Sequence, residues 1–516
     1  MSPMHRPAEW GPSHQTEPRR RWIARPGVLL MAVGMVGLSA SAIHYGAPGI
    51  AIVLILVLLT VGVIDAIIAS YVRPRKPKRA AMPAGQEPLV AFRMLAAWAG
   101  GGVWLGAGED GEWRSARPER AVLLLGPPRS GKTSSVIIPS VLAHSGPAIV
   151  TSTKPDVARA TARVRADEGR VWMFDPTGAS RPPAGLEQLR WSPVTSARTW
   201  DGAVVMARAM TVNVGVGTTD RSHWANRAQA LLAPFLHAAA VHGMEMETVV
   251  DWVMRHELDE PGMLLEDQRS SRLAFGSLVG LLNTEDRERS SIFSAAADAL
   301  QAYTSEGALA AASDPNFDPA AFVASGDTVY IYAPAEEQAA VAPVVCGLLA
   351  EVRRATYRAH AAGYLPGHVL FALDEVANIA PLQELPQIAS EGGSQGLTVL
   401  AALQDLSQAR ARWGKAADGF LTLFGTKLFL PGIADTATLE SVSTMLGEYD
   451  RQVVSHTNDA RLFSNAGKQT RTVTTQRSRY LSPGEVTGIL PATDCTWTAP
   501  AGSSSRSSPR IATSRG

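Results

Sequence analysis

The stretch Gly126–Thr133 reads GPPRSGKT and fits the spacing GxxxxGK(S/T), in which glycines let a loop turn tightly around a phosphate. Gly126, Pro127, Pro128, Arg129, Ser130 and Gly131 would form the wall of such a loop. Lys132 would reach the β- and γ-phosphate oxygens of ATP, and the Thr133 hydroxyl would ligate Mg2+. A second carboxylate for the metal is supplied by HVLFALDEVANI, His368–Ile379. There Asp374 would hold Mg2+ through water, and Glu375 would orient or deprotonate the attacking water. A third polar group, Gln404, ends the apolar run GLTVLAALQ and is placed to sense the γ-phosphate.

These residues need strands behind them. Ala121–Leu125 precedes the loop, and a helix-capable run, Thr133–Leu142, follows it. Val369–Leu373 is apolar throughout, as a central parallel strand buried on both faces should be. Further strands read at 147–153, 170–174, 328–332 and 426–430, alternating with helical stretches, which gives an α/β parallel sheet. GEDGE at 108–112 suggests a small hairpin before the core. Between Asp201 and Ser325 the pattern is Ala- and Leu-rich at helical spacing, and an all-α domain inserted in the sheet is expected. After Pro491 the Ser- and Arg-rich text has no apolar periodicity and is expected to be disordered.

Two uncharged or nearly uncharged stretches, Gly27–Ile43 and Gly49–Tyr71, are long enough for a transmembrane hairpin, since about 20 apolar residues span a bilayer. Arg19, Arg20, Arg21 and Arg25 precede it, and Arg73, Arg75, Lys76, Lys78 and Arg79 follow it, whereas the turn between carries no Lys or Arg. The charge asymmetry predicts that both ends face the cytoplasm. The expected organisation is a tail 1–26, the hairpin 27–72, a basic linker 73–88, nucleotide-domain segments 89–200 and 326–490, the helical insertion 201–325, and the tail 491–516. The 516 residues carry a net charge of +1, which excludes a globally basic nucleic-acid coat. Cys346 and Cys495 are the two cysteines and lie in no zinc-like spacing.

Taken in order, the hairpin, the loop, TSTKPD (Thr151–Asp156), VWMFDP (Val171–Pro176), LDEVANIAPL (Leu373–Leu382), the Gln404 strand and the closing region Arg412–Gly447 resemble the type IV secretion coupling proteins, the TraG-like conjugative ATPases. The resemblance implies a RecA-like P-loop NTPase fold in a homo-hexameric ring at the bacterial inner membrane, with its bulk in the cytoplasm. It implies as partners a relaxase with its single-stranded DNA, or effector proteins, and the components of the secretion channel. Relatives carry an arginine where this chain has Gly392 and Gly393, so a transition-state arginine must come from elsewhere, with Arg287, Arg289 and Arg412 as candidates. Two other functions stay open: a weakly hydrolysing scaffold that recruits the relaxosome, and an FtsK-type pump of double-stranded DNA. Basic residues that would track phosphates are scattered, at Arg221, Arg227, Arg269, Arg272, Arg353, Arg354, Lys468, Arg471, Arg477 and Arg479.

Overall fold

The computed structural model describes residues 93, 102–107, 113–217, 220–458, 469–487, 493–498 and 512–515. The two expected membrane segments lie outside the described residues. Among the described residues no helix is long and apolar enough to cross a membrane.

The core is one sheet. Its strands are β3 (Val122–Leu125), β4 (Ala148–Ser152), β5 (Val171–Phe174), β6 (Glu187–Gln188), β7 (Thr328–Tyr332), β8 (Val369–Leu373), β9 (Leu397–Leu403), β10 (Thr426–Phe429), β13 (Thr493–Thr498) and β14 (Ala512–Arg515). A small antiparallel pair, β1 (Trp104–Ala107) and β2 (Trp113–Ser115), precedes them, and a ribbon of β11 (Glu448–Asn458) and β12 (Gln469–Arg479) lies between β10 and β13 in the chain. The order across the sheet is β14-β13-β10-β3-β9-β8-β4-β7-β5-β6. The eight strands from β10 to β6 are parallel; β13 adds antiparallel to β10, and β14 to β13.

The alternation of side chains along each strand feeds two separate cores. Leu123, Ile149, Val329, Phe371, Val399 and their neighbours join one large apolar cluster. Val122, Leu124, Val150, Leu370 and Leu400 face the other side of the sheet, with Val136, Ile137 and Val157 from its helices. This two-sided burial explains why the strands read as unbroken apolar runs.

Between β6 and β7 the described residues form helices and turns only, the longest helix being Arg221–His242. Its apolar residues belong to the same cluster as one face of the sheet, and Phe235 stacks edge-on against Trp252 at 5.6 Å. His237 ties the region down: its Nδ1 lies 2.8 Å from the Ala197 carbonyl, and its Nε2 accepts from the Ser271 amide at 3.0 Å.

The other face has a buried cation. Arg165 ends the Asp156–Arg165 helix and is fully buried. Its Nε donates to Thr328 Oγ1 at 2.7 Å, and its Nη atoms donate to the carbonyls of His144, Gly146 (2.5 Å) and Gly326 (3.1 Å). Burial lowers the Arg165 pKa, while the neighbouring Tyr330 and Glu168 act in the opposite sense.

His144 sits at the same junction, and burial first, then the Arg165 charge, push its imidazole down to about 3. The ordinary histidine in the unfolded chain takes up its proton near pH 6.5, well before the folded one. Stability is therefore unaffected above pH 7 and is lost as the pH falls from about 6.5 toward 3. At pH 5 the expected loss is about 1–2 kcal/mol relative to pH 7.5, allowing for partial exposure. Urea unfolding at both pH values should show this loss in the wild type and a smaller one in His144→Gln. Parallel behaviour of the two proteins would refute it.

One sequence expectation changes. The text after Pro491 is not without regular structure, because Thr493–Thr498 pairs with β10 and Ala512–Arg515 pairs with β13. The short run TDCTWT is rich in β-branched and aromatic residues, and its β-propensity outweighs the polar composition around it. Several of the scattered basic residues pair with acids of the same chain. Arg227 pairs with Glu288, Arg269 with Asp267 at 3.0 Å, Arg477 with Glu448 at 3.2 Å and Arg479 with Glu440 at 2.6 Å.

Candidate nucleotide-binding site

The sheet order brings the sequence motifs together. β9 lies between β3, which carries the glycine loop, and β8, which ends in the acidic pair. Leu125 pairs with Leu403, and Leu373 with Ala401, so the three strands end level with one another. Gln404 thus emerges between the loop and Asp374-Glu375. It is half-buried, its backbone N–H donates to Gln408 Oε1 at 3.0 Å, and it does not line the cleft described next.

After β3 the chain wraps through Gly126–Gly131 and enters a helix whose first part, Lys132–Ile137, is π-wound before it continues as α over Ile138–Ala143. Gly131 has φ 94° and Arg129 φ 64°, so the loop uses two left-handed residues, one of them not glycine. Such a reversal turns successive amides inward and makes an anion-binding concavity. Lys132 is only 6% exposed. Its ammonium donates to the Gly126 carbonyl at 2.6 Å and to the Pro127 carbonyl at 3.2 Å, which holds it across the loop.

Asp374 and Glu375 close the opposite wall. The Thr133 hydroxyl donates to Asp374 Oδ2 at 2.9 Å, and Asp374 Oδ1 accepts from the Glu375 amide at 3.1 Å. Burial raises the Asp374 carboxyl above its usual range, opposed chiefly by the Thr133 hydrogen bond. Glu375 has φ 49°, a left-handed conformation that costs a non-glycine residue about 1–3 kcal/mol. Its Oε2 is buried with no hydrogen-bond partner. Strain and an orphaned carboxylate oxygen at one residue mark a group arranged for something other than stability.

These residues line one cleft of about 500 Å³ together with Pro127, Pro128, Ser130 and Gly131. It contains residues that spacing alone did not assign to the site: Ser152, Thr153, Lys154 and Asp156, all from TSTKPD. No local sequence signal placed them there: β4 pairs directly with β8, so its end lies beside Asp374. Mg2+ fits the donors present. A hydroxyl and a carboxylate share the cleft, and the hard oxygen donors suit an ion that keeps waters and binds through one or two carboxylates plus phosphates. Among the described residues no cluster of three or more His, Cys, Asp or Glu forms another metal site.

The arginine candidates do not meet at this cleft. Arg287 is exposed, and Arg289 pairs with Asp286 on its own helix and donates to the Thr284 carbonyl at 3.2 Å. Arg412 lines a different cleft. The glycine at 393 has a packing cause: a Cβ there would sit 1.9 Å from the backbone oxygen of Glu119. No side chain, and so no arginine, fits at that position while the loop is packed this way.

A parallel sheet with a glycine loop after one strand, an acidic pair at the end of another and helices on both faces has the fold of a RecA-like P-loop NTPase. The chain belongs to the family of type IV secretory system conjugative DNA transfer proteins, whose sequence profile matches residues 67–492. Among solved structures it is similar to the bacterial conjugative coupling protein TrwBdeltaN70 in an unbound monoclinic form, with a TM-score of 0.57, 18% identity, and coverage of 80% of this chain and 88% of that one. It is similar to TrwB in complex with ADP and Mg2+ (TM-score 0.57, 18% identity, 77% of this chain and 87% of that one). It also resembles TrwB with the ATP analogue ADPNP (TM-score 0.54, 19% identity, 75% and 83%). A search of curated protein sequences returns no match.

Proposed function

We propose that this chain is a membrane-anchored, Mg2+-dependent ATPase that couples a relaxase with its single-stranded DNA, or an effector protein, to a type IV secretion channel. The observation that carries the reading is the convergence of Lys132, Thr133, Asp374 and Glu375 on one cleft. The family and the nucleotide complexes of TrwB support it. In this reading the loop amides and Lys132 bind and neutralise the phosphates. Thr133 and Asp374 would hold Mg2+, which would supply positive charge to offset that of the phosphates. Glu375 orients the attacking water and accepts its proton, and Gln404 senses the terminal phosphate from between the two motifs. The residues 27–72 anchor the chain in the inner membrane, the helical insertion contacts cargo, and the protein works as a homo-hexamer.

The test is ATP hydrolysis by the full-length chain in lipid, with and without single-stranded DNA. The expected result is turnover that DNA raises and Lys132→Ala removes. Absence of turnover under both conditions would overturn the motor and favour a recruiting scaffold. Stimulation by double-stranded DNA alone would favour a pump of the FtsK type.

A further inference from the structure

A second cleft, of about 520 Å³, opens at the carboxyl ends of β7, β8 and β9. Its lining includes Asn213 from the helical region, Gln338, Asn378 and Arg412. The lining set contains no acid. Glu336 and Glu337 lie in the chain between the lining residues Ala335 and Gln338, and both are exposed at the rim.

Its charge is unbalanced. Arg412 is half-buried, and its Nε is buried with no hydrogen-bond partner. One Nη donates to Asn213 Oδ1, and Asn213 Nδ2 in turn donates to the Ala339 carbonyl at 2.5 Å. The neighbouring guanidinium of Arg221 donates to the carbonyls of Val212 at 2.8 Å and Arg412 at 3.4 Å. Among the described residues neither arginine has a carboxylate partner. Burial lowers the pKa of both, and the nearby Arg221 charge lowers that of Arg412 further. The 24-residue helix Gln338–Ala361 also begins here, and no side chain caps its first turn. Arg412 in the lining, Arg221 beside it and the amide side chains together suit an anion with several acceptor oxygens.

The cleft is joined to the nucleotide site by one turn of chain. Val376–Ile379 is a single helical turn that starts at Glu375. Glu375 faces the nucleotide cleft, while Asn378, whose amide donates to the Glu375 carbonyl at 2.9 Å, faces the second cleft. A shift of the Glu375 backbone must move Asn378.

We propose that this second cleft holds a phosphodiester group of the single-stranded nucleic acid that the motor moves, and that the Val376–Ile379 turn links that grip to Glu375. The inference rests on the proposed motor function.

The test uses the full-length chain in lipid and a fluorescein-labelled single-stranded oligonucleotide, with anisotropy read across a salt series. Gln338 is the first residue of its helix, so changing its charge need not disturb packing. Gln338→Glu is expected to weaken DNA binding about tenfold and Gln338→Lys to tighten it. Arg412→Gln should flatten the slope of log affinity against log salt by about 0.7, as for one lost phosphate contact. Binding of a fluorescent ADP analogue should be retained in all three, which separates a lost contact from a lost fold. Unchanged DNA affinity in both Gln338 variants would overturn this inference and leave the motor intact. Failure of the wild type to bind single-stranded DNA would overturn both. Loss of hydrolysis in Arg412→Gln with DNA affinity intact would assign the arginine to a nucleotide and refute the DNA cleft.

Discussion

Replacing Glu375 by glutamine is expected to lower ATP turnover by about 10²–10⁴-fold, the range that general-base catalysis supplies, while nucleotide remains bound. The two side chains have the same shape, so the left-handed turn at φ 49° and the hydrogen bonds from Asn378 and Ile379 to its carbonyl are kept. What is lost is the proton acceptor whose Oε2 lies buried without a partner. Thr133, Asp374 and Lys132 are untouched, so the affinity for ATP and Mg2+ should hardly move. Stopped-flow nucleotide binding beside steady-state hydrolysis separates the two quantities. A turnover that falls less than about threefold would show that another group accepts the proton, because loss of a positioned base costs about 10²-fold or more. Lys132→Ala differs in kind, since it removes a charge that meets the phosphates in both the ground and transition states.

The second large effect is on stability. Arg165→Met is expected to destabilise the chain by about 3–5 kcal/mol. The methionine fills much of the same volume but leaves the Thr328 hydroxyl and three carbonyls without their donor. Each buried acceptor so stranded costs about 1–3 kcal/mol, and partial access of water reduces the sum. Arg165→Lys should recover only part of the loss, because an ammonium cannot reproduce the planar fork that meets these acceptors. Chemical denaturation of the three proteins would decide it. A change below about 1 kcal/mol in Arg165→Met would mean that the carbonyls find other donors.

Much of this was legible in the sequence, and the reason is physical. Val369–Leu373 and Thr328–Tyr332 are strands over the expected residues because a parallel strand covered on both faces reads as a near-continuous run of apolar, β-branched and aromatic residues, with a buried hydroxyl such as that of Thr328 hydrogen-bonded. The glycine loop and the acidic pair announced themselves because phosphate binding restricts both residue type and spacing. The β11–β12 ribbon was not legible. Glu448–Val453 and Val473–Arg477 are exposed, so neither face of these stretches imposes an apolar alternation. Lys154 escaped assignment because its place in the cleft depends on β4 lying next to β8, a pairing between distant parts of the chain. The second cleft was illegible for the same reason: Asn213, Gln338, Asn378 and Arg412 come from four separate stretches. Gly393 appeared only as a departure, and the Glu119 backbone supplied its cause.

The order of strands in the sheet also bears on how the molecule comes into being. β3, which carries the glycine loop, has β9 and β10 as its two neighbours, and both lie far downstream. A ribosome will have made the loop, the helical region and the acidic pair before either flank of β3 exists. Until residue 403 has emerged both edges of β3 lack their hydrogen-bond partners, and until residue 429 one edge still does, so its four buried leucine and valine side chains sit in an unfinished sheet. Such long-range pairing is intrinsically slow and leaves apolar surface open to association in the meantime. The nascent protein therefore has to pass through a period in which its ATP site is fully written but not yet assembled.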